Sequence, residues 1–354
     1  MRIAQLAPLA ETVPPKLYGG SELVVSLLTE ELVKRGHEVT LFASADSVTS
    51  SRLISRAPTG LRQAEDIPPT RWPAYELKSL LALESMQNQF DLVHSHMGYS
   101  ALPFLRNLKC LSLSTNHNPV KDYCSEIYLK FRELPFVAIS NAYRRLNFPL
   151  DLNYVATVYN GIDIGISVDL TRVRRYLLFL GRICSDKGTA EAVQIARMLS
   201  LPIVLAGKVD DYDREYFDTL VKPLLSEPGV EYVGEISASE KAKLYAGAIA
   251  TVCPIKFDEP FGLVFAESLA AGTPVMAFNR GAAAEVVDDG KTGILGDTVE
   301  DLISRFGEIE NISREVCRES ARLRFGKERM ANEYEALYYQ LLVKHQAKTQ
   351  TVAV

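Results

Sequence analysis

The segment FDEPFGLVFAESLAAGTPV, residues 257–275, sets Glu259 and Glu267 eight positions apart around a Pro260-Phe261-Gly262 turn that opens an apolar helix. The first amides of a helix lack intrahelical partners, so this start can bond phosphate oxygens, and Gly262 lets a ligand approach the backbone closely. Carboxylates accept hydrogen bonds without donating, which suits hydroxyl-rich ligands. Taken singly, the two glutamates also read as a helix-dipole partner and a surface charge. A second stretch, LFLGRICSDKGTAEAV, ends a strand at Gly181, presents Arg182 and reaches Lys187 and Gly188 as the next helix opens. Two cations beside exposed amides have the chemistry to hold a diphosphate; the alternative is a plain strand-to-helix turn with two solvated cations.

The front half carries its own candidates. YGGSELVV puts Gly19, Gly20 and Ser21 at the start of the first helix, where glycine amides can come close to a phosphate or a hydroxyl, or simply form a tight loop. The spacing is not G-x-G-x-x-G, so a dinucleotide fingerprint is absent. FDLVHSHMG ends a strand with His94 and His96 on one face by period two. No neighbouring Cys, Asp or third His completes a ligand set, so a zinc site is not expected. His117 in TNHNP and Ser140 and Asn141 in AISNAYRR are further candidates, each with a structural alternative. Asp211 and Asp213 in KVDDYDRE spell D-x-D but stand where a helix begins, and read as helix-start acids rather than metal ligands.

These residues need elements to hold them. Apolar runs of four to six residues alternate with longer stretches of helical period, the pattern of an α/β protein with parallel sheets. Strands are expected at RIAQLA, HEVTLFAS, FDLVHS, KCLSLST, FVAIS and YVATVYN, then at RYLLFLG, PIVLAG, GVEYVG, ATVCP and TPVMAF. The Gly- and Asp-rich NGIDIGISVDLTR separates the two series, with the boundary near 158–172. Residues 50–73, dense in Arg and Pro, read as an irregular excursion. The expected organisation is a first Rossmann-like domain over 1–160, a second over 161–326 and a terminal helix over 327–345 with Met330, Tyr334, Leu337 and Leu341 on one side. Two such domains place their strand ends around a shared cleft, where ligands bind.

Bulk properties narrow the classes. At 354 residues the chain exceeds what one core usually serves. A net charge of −5 argues against a nucleic-acid partner. The five cysteines are scattered, which fits a reducing cytoplasm better than a disulfide framework. No run is long enough to span a membrane, and the N-terminus reads as a first strand rather than a signal peptide.

Together GRICSDKG, EPFGLVFAE, AAGTPVMAF, EVVDDGKTGIL, YGGSE and LVKRGHEVTLFAS resemble the retaining nucleotide-sugar glycosyltransferases of family 4, along almost the whole chain. The resemblance implies a GT-B fold and transfer of a hexose from a UDP- or GDP-sugar to a small-molecule, glycan or lipid-linked acceptor. It implies that no cofactor or metal is required. It further implies that Arg182 and Lys187 hold the diphosphate, with Gly181 beside them, and that Glu259 touches the sugar ring. Amides of Phe261, Gly262 and Leu263 then bind sugar or phosphate, Glu267 takes the ribose hydroxyls, and His96 meets the donor sugar. Gly19, Gly20 and Ser21 lie on the acceptor side, and the terminal helix crosses back to the first domain. Where many members read GGxPE before VV, this chain has RGAAAEVV and keeps Glu285, which bears on sugar preference. A GT-B epimerase or phosphorylase-like enzyme and a non-catalytic nucleotide-sugar sensor are the competing readings. Peripheral membrane contact stays open.

Overall fold

The computed structural model describes residues 1–165, 169 and 172–352, with side chains described for all of these except 148 and 348–352. Within the expected 158–172 linker, residues 166–168, 170 and 171 lie outside the described residues. Two compact units emerge: Met1–Gly161 together with the chain from Lys327 onward, and Ile162–Gly326.

The first unit is built on seven parallel strands: β1 (Arg2–Leu6), β2 (Glu38–Ala43), β3 (Arg52–Ser55), β4 (Leu92–Ser95), β5 (Leu111–Thr115), β6 (Phe136–Ala138) and β7 (Tyr154–Thr157). Their spatial order is β3-β2-β1-β4-β5-β6-β7. β4 and β5 are buried along their whole length, as expected of strands covered on both faces. The Gly20–Lys34 helix lays Val24, Val25, Leu28 and Leu32 against the sheet. β3 falls inside the stretch expected to be irregular. It is a four-residue, half-buried edge strand whose weak apolar alternation gives little signal.

The terminal helix runs Lys327–Val352, beyond the expected end at 345, and belongs to this first unit. It buries Met330, Tyr334, Leu337, Tyr338 and Leu341, a stripe at spacings of three and four. Glu335 fastens it through Arg35 at 3.0 Å and His37 at 2.8 Å.

The second unit has six parallel strands: β8 (Tyr176–Leu180), β9 (Ile203–Ala206), β10 (Val230–Tyr232), β11 (Ala248–Cys253), β12 (Val275–Phe278) and β13 (Gly293–Gly296). Their order is β10-β9-β8-β11-β12-β13. β13, with the sequence GILG, escapes sequence reading because glycine ends it on both sides. Packing demands one of those glycines: a Cβ on Gly293 would sit 2.2 Å from the Val275 carbonyl oxygen of β12.

In each sheet the order reverses once, between β1 and β4 and between β8 and β11. At such a reversal the chain leaves neighbouring strands toward opposite faces, and the loops at the strand C-termini part to leave room for a ligand. Both switch points carry the residues singled out from sequence.

Candidate active site

In the second unit, β8 delivers Gly181 and Arg182 at its C-terminal end. The guanidinium lies 3.6 Å from both Asp210 and Asp213, and 5.1 Å from the Tyr212 ring centroid. Asp211–Asp213 form a 3-10 turn that leads into a helix, so the D-x-D pair does stand at a helix start, with Asp213 turned to Arg182. Lys208 pairs with Asp210 at 2.7 Å. The next turn ends at Gly188, whose φ of +74° caps the Thr189–Met198 helix in the left-handed region. A Cβ there would sit 2.1 Å from the Pro254 carbonyl oxygen, so the loops after β8 and β11 are pressed together at this glycine. That contact brings Lys187 onto Glu259, with which it forms an ion pair, and within 4.9 Å of the Phe257 ring centroid.

The 258–262 loop is held from behind. The Glu259 carbonyl accepts from Ala282 N–H at 2.8 Å, and a Cβ on Gly281 would fall 2.3 Å from Glu259 N. The RGAAA stretch, where the sequence departs from the family pattern, is thus the brace of the glutamate loop. Phe261 is buried edge-on against Phe325 at 5.7 Å. Gly262, at φ +80°, caps the Leu263–Ala270 helix with no side-chain hydrogen bond to its first turn. Glu267 has partners the sequence did not disclose. Lys241 Nζ lies 2.9 Å from each of its oxygens, and the Tyr245 hydroxyl donates at 3.3 Å. Burial, with Glu267 adding to it, pushes the Tyr245 phenol well up, so it stays a donor. Four cations, Arg182, Lys187, Lys208 and Lys241, therefore face four carboxylates, Asp210, Asp213, Glu259 and Glu267. An anion entering here exchanges with a carboxylate rather than meeting bare charge.

In the first unit, register sets the site. Gln5 of β1 pairs with His94 of β4, which pairs with Leu113 of β5. Alternation then puts Gln5, His94, His96, Thr115 and His117 on one face. His96, expected to meet a sugar directly, has both ring nitrogens engaged within the protein. Nε2 faces Gln5 Oε1 at 3.1 Å and Nδ1 faces His117 Nε2 at 2.9 Å. Its residue is 4% exposed, and His117 is the less buried ring of the pair. The His94 and His96 rings lie 4.1 Å apart, centroid to centroid, and His117 stacks on His96 at 5.2 Å. Burial drives all three imidazoles down, His94 to about 3, His117 to about 4 and His96 well below its ordinary value; neighbouring rings add to the shift for His94 and His96.

Gly19 caps the Gly20–Lys34 helix, also without a side-chain hydrogen bond, and a Cβ on it would lie 2.7 Å from Pro15 Cβ. Ser21 lies in the first turn, followed by the buried Glu22. Burial, with Glu11 nearby, raises the Glu22 carboxyl to about 7. Glu11 is itself held by Arg62 at 2.8 Å and by Gln63. Glu22 was within view in YGGSE; its signal was a carboxylate on the buried side of an apolar helix.

Comparison with known proteins fits this geometry. A family model described as glycosyl transferases group 1 matches residues 170–324, and one described as Glycosyltransferase Family 4 matches residues 18–165. A D-inositol 3-phosphate glycosyltransferase of Arthrobacter sp. is 26% identical over 79% of this chain and 78% of its own. Among solved structures, sucrose-phosphate synthase of Thermosynechococcus elongatus superposes with a TM-score of 0.80 at 20% identity, covering 97% of this chain and 100% of that one. The Anabaena protein HepE, solved with UDP and glucose, gives 0.72 at 16% identity, covering 95% and 99%. Both likenesses bear on the fold, which is GT-B. Among the described residues, no helix is long and apolar enough to cross a membrane.

Proposed function

The chain belongs to the glycosyltransferases of group 1 and family 4, and we propose that it moves a hexose from a UDP- or GDP-sugar to an acceptor hydroxyl with retention and without a metal. The observation that carries this reading is the β8–β11 switch point, where the Lys187–Glu259 pair stands beside a helix start with no side-chain cap. In this reading the diphosphate takes the place of Glu259 on Lys187 and is further neutralised by Arg182 and the amides that open the Leu263–Ala270 helix. Glu259, released, accepts from sugar hydroxyls. Glu267, paired with Lys241, accepts from the ribose. HepE, with its bound UDP and glucose, supports a nucleotide-sugar donor.

The step itself breaks the bond from the anomeric carbon to the phosphate oxygen and forms one to the acceptor oxygen on the same face. The acceptor proton passes to the departing diphosphate. In this reading Glu259 serves as a hydroxyl acceptor rather than a nucleophile, because once released from Lys187 its carboxylate is taken up by the sugar hydroxyls. The cations act most strongly as negative charge gathers on the leaving oxygen. By the same reading His117, backed by His96, is the first unit's ring that meets the sugar, and Gly19, Gly20 and Ser21 serve the acceptor side.

Thermal unfolding with UDP, GDP and ADP at millimolar concentration in EDTA tests the donor half. At least one nucleotide raises the midpoint, by about 2.7 kcal/mol in stability at a hundredfold excess over its Kd. A midpoint unchanged from that of the nucleotide-free protein with all three overturns the assignment. Release of nucleoside diphosphate on adding acceptor, with the anomeric configuration of the product read by NMR, tests the transfer and its retention.

A further inference from the structure

A buried hydrogen-bond chain leads from the terminal helix to His96. Tyr334 and Tyr338 stand about one turn apart on that helix and are 1% and 0% exposed. The Gln5 amide donates from Nε2 to the Tyr338 hydroxyl at 3.3 Å and turns Oε1 to His96 Nε2 at 3.1 Å. An amide oxygen only accepts, so His96 carries its proton on Nε2. Its bare Nδ1 then accepts from His117 Nε2–H at 2.9 Å. Having accepted from Gln5, the Tyr338 hydroxyl gives its one proton to His94 Nδ1 at 2.7 Å. His94 donates from Nε2 to Thr115 Oγ1 at 2.8 Å, and Thr115 bonds the Tyr334 hydroxyl at 2.9 Å. With the Gln5 amide in this orientation, both ring nitrogens of His94 and of His96 meet a partner of the opposite role, whichever of Thr115 and Tyr334 donates to the other.

The sense of this chain decides what His117 offers. With its proton on Nε2, His117 has a bare Nδ1, an acceptor suited to a hydroxyl. Were the Gln5 amide turned over, His96 would carry its proton on Nδ1, and His117 would have to accept there and move its own proton to the outer nitrogen. His117 would then present a donor. The Tyr338 hydroxyl is the link that couples the amide to His94, and so to Thr115 and Tyr334.

We propose that Tyr338 is a positioning residue: through Gln5 its hydroxyl fixes the tautomers of His96 and His117, so that His117 presents an acceptor nitrogen outward. For catalysis this rests on the transferase reading given above; the tautomers themselves do not. Long-range proton–nitrogen correlation spectra of the full chain, labelled in histidine and free of substrate, read them directly. The wild type is expected to show His96 and His117 each protonated at Nε2 alone, and protonation of either at Nδ1 overturns the proposal without any variant. Tyr338→Phe is expected to give mixed tautomers at both rings and a fall in kcat of about tenfold or more, with donor KM little changed. Tyr334→Phe removes the same group from the same helix at the far end of the chain and is expected to leave both tautomers single and kcat within about threefold. A folded Tyr338→Phe protein that keeps single Nε2–H tautomers, or equal activity losses in the two variants with unchanged spectra, refutes the relay and leaves helix packing as the cause. Loss of the tautomers in a chain whose wild type transfers no sugar upholds the relay and faults the functional reading alone.

Discussion

Acid should weaken the first unit, by an amount the three neighbouring imidazoles set. His94, His96 and His117 are held neutral by burial, with hydroxyls, an amide and one another as hydrogen-bond partners. In the unfolded chain each titrates near the ordinary value of about 6.5. Their folded values are depressed, so the unfolded state binds more protons below that pH. The stability they provide is complete above pH 6.5 and is lost as pH falls toward about 4, the His117 value. Between pH 7.5 and 5.5 each ring contributes a loss of about 1.4 kcal/mol, or about 4 kcal/mol for the three.

Glu22 works in the opposite sense. Its folded value is raised to about 7, so it holds a proton in the folded state that the unfolded chain releases. Its contribution is present at low pH and is lost as pH rises through about 7. Over the same interval it offsets about 2 kcal/mol, leaving a net loss of about 2 kcal/mol in the wild type. Glu22→Gln removes the offset and should restore the full loss of about 4 kcal/mol, and adding His117→Gln should return it to about 3 kcal/mol. The protein has a single tryptophan, Trp72, packed in the first unit beside Leu61 and Ile67, so urea unfolding followed by its fluorescence isolates this unit. A Glu22→Gln protein whose stability falls by less than about 2 kcal/mol between pH 7.5 and 5.5 would refute the reasoning, since neutral buried imidazoles cannot titrate so weakly on unfolding.

Two further outcomes follow from the packing. Lys187→Ala removes the cation facing Glu259 and should lower kcat by about 30-fold, some 2 kcal/mol of transition-state stabilisation, measured as nucleoside diphosphate release by a folded variant. Truncation after Gly326 strips Tyr334 and Tyr338 from His94 and Thr115 and uncovers the face that the Lys327–Val352 helix buries; Trp72 fluorescence should then report an unfolded first unit, and a native spectrum would show that the helix is dispensable.

Much of the β8–β11 switch point was legible because its determinants are local. A strand that ends in Gly-Arg, a lysine and glycine at the next helix start, and a glutamate before Pro-Phe-Gly each occupy one loop, and eleven apolar runs announced their strands. β3 and β13 were missed where edge position or glycine content erases the pattern. The partners of the charged groups were missed for a different reason. Lys241 reaches Glu267 from a helix 26 residues earlier, and no spacing rule links them. His96 shows the same limit more sharply. Period two correctly placed it beside His94 on one face, but whether its ring reaches outward depends on which strands flank β4. Those are β1 and β5, and they bring Gln5 and His117 to its two nitrogens.

One clue to that arrangement does lie in the sequence. A strand covered on both faces should be apolar throughout, and RIAQLA is interrupted by a single glutamine. A buried amide left unpaired costs enough that Gln5 must have partners for both of its ends. The same holds for His94 in LVHS and Thr115 in LSLST, buried polar residues toward the C-terminal ends of strands whose other polar members are the serines Ser95, Ser112 and Ser114. Gln5, His94 and Thr115 on neighbouring strands, met by two tyrosines four apart on an amphipathic helix, are a set of hydrogen-bonding demands that close on one another and, through the Gln5 carbonyl oxygen, on His96. The strand order supplies the adjacency, and the polar interruptions mark in advance where the first unit gathers its buried hydrogen-bond network.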